Sequence, residues 1–135
     1  MAIESIQDRI FTPATDIWSF GVVIWEIFNG GATPYAGLSN TEILLFLQSG
    51  GRLKKTETVP PVFANLMKLC WLEVPSDRPS SDYIHEVAKQ IHIEIEGFYA
   101  SVCRSPSCGF KFHKLNIPLG PTYDSPTYGS FFGSV

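Results

Sequence analysis

The chain has 135 residues, 44% hydrophobic and 17% charged, with a formal net charge of −3. That length suits one domain with a single core, which buries roughly two-thirds of its unfolded surface. With no run of lysine or arginine, the charge balance argues against a nucleic-acid partner or an anionic membrane surface held by electrostatics.

In chain order, Met1-Ala2-Ile3-Glu4-Ser5-Ile6 comes first, with Glu4 suited to a first helical turn. Asp8 to Pro13 reads as a connection, because Pro13 breaks any helix running through it. Thr12 or Thr15 can cap the helix on its C-terminal side. From Asp16 to Phe28, apolar residues stand at Ile17, Trp18, Phe20, Val22, Val23, Ile24, Trp25, Ile27 and Phe28, on nearly every side of a helix. A helix that is apolar all round is buried all round, so this stretch is expected to be the hub of the core.

Asn29 to Gly37 is a loop punctuated by glycine and proline. Ser39 and Glu42 then offer a capping box for a helix whose apolar face is Ile43, Leu44, Phe46 and Leu47. Gly50-Gly51 ends it, since glycine reaches left-handed backbone angles cheaply. Pro60-Pro61 pre-sets the next helix, with a stripe at Phe63, Leu66, Met67, Cys70 and Trp71. Cys70, flanked by Leu69 and Trp71, is expected to be packed and inert.

Ser80 or Ser81 can cap a last helix with a core face at Ile84, Val87, Ala88, Ile91 and Ile95. His85 and His92 on that helix lack a ligand partner pattern and read as partly exposed polar residues. From Gly97 the periodicity is lost, and Pro106, Pro118, Pro121 and Pro126 predict an extended, mostly disordered tail. Cys103, Cys108 and His113 fall short of the four ligands of a structural zinc site, so no metal or other cofactor is expected in this chain. An odd cysteine count does not fit a secreted disulfide framework and predicts a reduced, cytoplasmic setting. No signal peptide is expected, and no segment reaches the roughly 20 apolar residues of a membrane span.

The stretch Asp-Ile-Trp-Ser-Phe-Gly-Val-Val-Ile-Trp-Glu-Ile-Phe closely resembles the central helix of the large lobe of a protein kinase, in the wording of the tyrosine-kinase branch. Leu66-Met67 through Cys70-Trp71 to Pro75, Arg78 and Pro79 resembles the L-M-x-x-C-W-x-x-x-P-x-x-R-P signature of the same branch. Pro34-Tyr35 with Gly37, and Gly51-Arg52-Leu53, resemble two of its loops, and the first residues resemble the end of its activation segment, entered mid-motif. The resemblance covers about residues 1 to 95. It implies a buried ion pair between Glu4 and Arg78, and Asp16 as the anchor that accepts backbone hydrogen bonds from a catalytic loop. Trp18, Trp25, Cys70 and Trp71 are implied as core signature residues. Tyr123 and Tyr128 in the tail resemble phosphorylation sites that recruit phosphotyrosine-binding adaptors, since a phosphate adds about −1.5 to −2 charge for an arginine cluster to read.

Kinase phosphoryl transfer needs a glycine-rich loop, a lysine–glutamate pair, a His-Arg-Asp loop and an Asp-Phe-Gly aspartate for magnesium. None of these stands in the 135 residues. The expected architecture is therefore all-α: residues 1–96 form about four helices of a tyrosine-kinase C-lobe around a buried central helix, and residues 97–135 form the tail. The expected function is that of a partial, receptor-like tyrosine-kinase domain, inactive alone, with ATP and magnesium belonging to the full-length family. The alternative is a non-catalytic module that docks other kinase domains or phosphotyrosine-binding adaptors. The setting is cytoplasmic, or the cytoplasmic portion of a membrane receptor. Without the helices and loop that precede the hub in intact kinases, an apolar patch is expected to stay exposed, making the chain sticky or chaperone-bound.

Overall fold

The computed structural model describes residues 1–57 and 59–102, and these form helices joined by loops, with no strand among them. In order they are α1 (Ile3–Gln7), α2 (Pro13–Phe28), α3 (Asn40–Gln48), α4 (Pro61–Cys70), a 3-10 turn at Pro75–Asp77, and α5 (Ser81–Val102). The four expected helices are present, and the short α1 and the 3-10 turn add to them. The last helix runs on through Gly97, where the apolar repeat fails, to Val102. Tyr123, Tyr128, Cys103, Cys108 and His113 lie outside the described residues.

Local chemistry sets the helix ends. Thr12 is the N-cap of α2, and its backbone N–H donates to the Thr15 hydroxyl at 3.2 Å, while Pro13 comes next, where a missing N–H costs nothing. Ser39 caps α3 in a full capping box, with the Glu42 carboxylate accepting from the Ser39 N–H at 2.8 Å. Those bonds to Ser39 hold the Glu42 carboxyl below its ordinary value. After α3 the chain turns at Gly50, whose φ of +85° is a conformation that glycine adopts without strain. At α5, the Ser80 hydroxyl accepts from the Tyr83 N–H at 3.2 Å.

The core is built on the crossing of α2 and α4. From α2 come Ile17, Trp18 and Ile24, and from α4 come Val62, Ala64, Leu66, Met67 and Cys70. Gly21 makes the close approach: a Cβ there would stand 2.7 Å from Trp71 Nε1 and 2.8 Å from Cys70 Cβ. At one end of the crossing the Phe28 and Phe63 rings meet with centroids 4.9 Å apart. Val87 and Ile91 bring α5 into the same core.

Two expectations need correction. The hub helix is not buried all round: Phe20, Val23 and Ile27 are 38%, 47% and 67% exposed. They recur at i, i+3 and i+7, so they form one stripe, on the side of α2 away from its core-facing residues. The second correction is Ala88, which is exposed on α5: of the expected face Val87 and Ile91 are buried, and Ile84 and Ile95 are half-buried.

Candidate functional site

The polar centre of the molecule is Arg78, placed just after the 3-10 turn with its side chain 0% exposed. A buried guanidinium must have its donors matched, and here they are. Nη1 donates to Glu4 Oε1 at 2.6 Å and to the Ala14 carbonyl at 2.9 Å, and Nη2 donates to Glu4 Oε2 at 3.0 Å and to the Glu73 carbonyl at 3.4 Å. Nε donates to the Leu72 carbonyl at 2.9 Å. The fork-to-carboxylate geometry is the strong form of an ion pair. It ties α1 to the start of α2 and to the segment after α4, across 74 positions of sequence.

Glu4 is held from the other side as well, by the Thr15 hydroxyl at 3.3 Å. Burial works to raise its carboxyl pKa, but the bonds from Arg78, its own backbone N–H, the Arg78 charge and Thr15 outweigh it, and the net shift is downward. Ser5, buried beside Thr15, donates to the Ile10 carbonyl at 2.9 Å, so the polar groups under α1 are paired.

Trp18, fully buried, lies beside this centre with the Arg78 Cζ 4.9 Å from its ring centroid. A second guanidinium, that of Arg52, stands 5.0 Å from the same centroid. The Trp71 indole N–H donates to the Trp18 carbonyl at 3.3 Å, and the Trp25 indole N–H to the Lys54 carbonyl at 2.8 Å. Cys70, 0% exposed, has its thiol pushed up to about 12 by burial, partly offset by the Arg78 charge, and so is no nucleophile at neutral pH.

Glu4, Arg78, Trp18, Cys70 and Trp71 are thus brought into one region. Asp16 is apart from it, exposed in the first turn of α2, and among the described residues nothing hydrogen-bonds its carboxylate. Trp25 lies nine residues further along α2, tied to the Lys54 carbonyl. The sequence alone assigns neither Thr15 nor Arg52 to these places. Thr15 reads there as a helix cap and Arg52 as part of a turn motif, and no local pattern connects either with Glu4 or Trp18. His92 pairs with Glu96 at 3.2 Å on the exposed side of α5, and no group of three metal-ligating side chains occurs among the described residues.

The family model for protein tyrosine and serine/threonine kinases matches residues 1–88, which contain the whole Glu4–Arg78–Trp18 centre. The chain belongs to this kinase family. It is 42% identical over 128 residues to the insulin receptor-related protein of Mus musculus, covering 93% of this chain and 10% of that protein. With the insulin-like growth factor 1 receptor of Bos taurus it shares 40% identity over 121 residues, 90% of this chain and 18% of the relative. With the human proto-oncogene tyrosine-protein kinase ROS it shares 40% over 105 residues, 78% of this chain and 4% of the relative. The kinase chain therefore spans less than a fifth of the length of each of these relatives. It is a portion of a receptor-like tyrosine-kinase domain, drawn from the helical lobe. No described helix is long and apolar enough to cross a membrane.

Proposed function

We propose that the chain is the helical base of a receptor-type catalytic domain that transfers the ATP γ-phosphoryl group to protein tyrosine, and that it supplies scaffold rather than reacting groups. The observation that carries this reading is the bidentate Arg78–Glu4 pair at 2.6 and 3.0 Å. It roots residues 1–6, which resemble the end of an activation segment, in a buried arginine. Exposed Asp16, at the start of the hub helix, is free to accept hydrogen bonds from an incoming loop, which suits the anchoring role. On this reading the chain works in the cytoplasm, and ATP and magnesium are held by parts of the domain beyond these residues.

The test is nucleotide-dependent thermal stabilisation of the purified chain with Mg-ATP. A ligand at 100 times its dissociation constant adds about 2.7 kcal/mol. For a domain of this size that is a rise of roughly 10–20 °C in Tm. No rise in a chain shown to be folded is the expected result, and a rise of that size overturns the scaffold reading. Phosphotransfer to a tyrosine peptide should appear only when the chain is joined to a segment carrying the glycine-rich, His-Arg-Asp and Asp-Phe-Gly motifs.

A second reading, a non-catalytic module that docks another kinase domain, an adaptor or a chaperone, is favoured by the exposed stripe Phe20, Val23 and Ile27. Co-purification of a defined partner that is lost on Val23→Glu would favour it over the first.

A further inference from the structure

A buried indole is ordinarily fixed by packing and by a hydrogen bond from its N–H. Trp18 has no such bond: its Nε1 is buried with no partner among the described residues. What stands against its ring instead is a pair of guanidinium groups, 4.9 and 5.0 Å from the centroid, a distance at which a cation is attracted to the face of the π-system.

The two arginines differ in what holds them. Arg78 is held by Glu4 and by carbonyls of α2 and the 72–73 segment. Arg52 is held at the ends of α3 and α4 and by its own loop: its Nε donates to the Trp71 carbonyl at 3.0 Å, and its Nη1 to the Leu47 and Gly51 carbonyls at 3.1 and 2.8 Å. Leu47 lies in the last turn of α3, and Trp71 caps α4. A continuous set of contacts therefore runs from the C-terminal ends of α3 and α4 through Arg52, the Trp18 ring and Arg78 to the Glu4 carboxylate.

We infer that Arg52 is a positioning residue for the activation-segment end: by fixing the orientation of Trp18 it sets how Arg78 presents its fork to Glu4. That residues 1–6 end an activation segment rests on the kinase reading proposed above, whereas the contact chain does not. The Arg78–Glu4 pair at the far end of these contacts supplies a readout of the coupling. Glu4 faces Arg78, the Thr15 hydroxyl of α2 and, at its own end of the chain, the Met1 amino group. Its share of stability is lost when it is protonated, so the acid half-point of that share reports the quality of the Arg78 contact.

The experiment measures Tm against pH for the full 135-residue chain and for Glu4→Gln, each with Arg52, Arg52→Ala, Arg52→Gln and Arg52→Lys. The difference within each pair isolates the Glu4 share. With Arg52→Ala or Arg52→Gln its half-point should rise by about 0.5 pH or more, toward that of an ordinary carboxylate. Arg52→Lys, which keeps a cation against the ring, should return it part-way. An unchanged half-point in the Ala and Gln backgrounds, however much Tm falls overall, overturns the inference. So does a rise that Lys does not reduce at all, since general repacking would then account for it. Arg52→Gln keeps length and one donor, so it remains readable if Arg52→Ala does not fold. Neither overturning result touches the scaffold reading proposed above, which fails instead on Mg-ATP stabilisation of the chain.

Discussion

Arg78→Ala should cost this chain a large part of its stability. The side chain is 0% exposed, pairs with both oxygens of Glu4, and donates to three backbone carbonyls, those of Leu72, Glu73 and Ala14. Removing it strands the Glu4 carboxylate, itself 13% exposed, with only its own N–H and the Thr15 hydroxyl. Breaking a buried pair in this way costs about 3–5 kcal/mol, against a total of about 5–15 kcal/mol for a whole domain. At about 4–8 °C per kcal/mol, Tm should fall by roughly 12 °C or more, read by circular dichroism and by the urea midpoint at unchanged m-value. Glu4→Gln/Arg78→Met removes both charges and fills the space with apolar atoms, and it should recover part of the loss. Recovery stays incomplete because the three carbonyls still lack their donors. A loss below about 1 kcal/mol for Arg78→Ala would refute the view that this pair is a buried, structurally required one.

The remaining expectations use separate parts of the structure. Because the Glu4 carboxyl pKa is lowered in the folded chain, its stabilisation is present above its unfolded value of about 4.3 and is lost as pH falls through the lower folded value. Thermal melts from pH 7 to 2 should show an acid loss that is smaller in Glu4→Gln. Gly21→Ala gains up to about 1 kcal/mol of helix propensity, but its methyl would meet Trp71 Nε1 and Cys70 Cβ under 3 Å, and overpacking at about 1–3 kcal/mol should win. The urea midpoint checks the sign. With Cys103 and Cys108 replaced by serine, Cys70 should resist a thiol reagent at pH 8 until urea unfolds the chain, since burial pushes its thiol up to about 12. Ile27→Lys, at a largely exposed position, should change stability by less than about 0.5 kcal/mol while reducing self-association on gel filtration.

How much of this was legible in the sequence depends on range. Ser39 with Glu42, Pro13, Pro61 and Gly50 mark helix ends by chemistry that acts over one to four residues, and those ends lie where that chemistry puts them. The Glu4–Arg78 contact, 74 residues apart, was written in no local pattern and was reached only through the resemblance. Thr15 could be seen as a cap but not as a ligand of Glu4, and Arg52 was a turn residue with nothing to show that Trp18 lies beneath it. Both gaps have one cause. A side chain's partners across the core depend on how helices cross, and periodicity names the face that crosses without naming what it meets.

The same limit explains the hub helix. Its composition implied burial on every side, and that inference concerns the environment the sequence is suited to, not the neighbours available within these residues. α4, the 3-10 turn and the segment at Arg78 cover the side that carries Trp18, Gly21 and Ile24, and Phe20, Val23 and Ile27 are left to solvent. Three large apolar side chains in one stripe on a central helix are hard to reconcile with a surface selected for water. They agree better with a lobe whose hub is meant to be closed by further polypeptide. The sequence, read as too apolar for a surface helix, and the structure, which leaves one face of that helix open, are therefore consistent. Adding the covering segment of a kinase domain should raise the Tm of this chain, and the gain should shrink when Val23 or Ile27 is replaced by a charged residue.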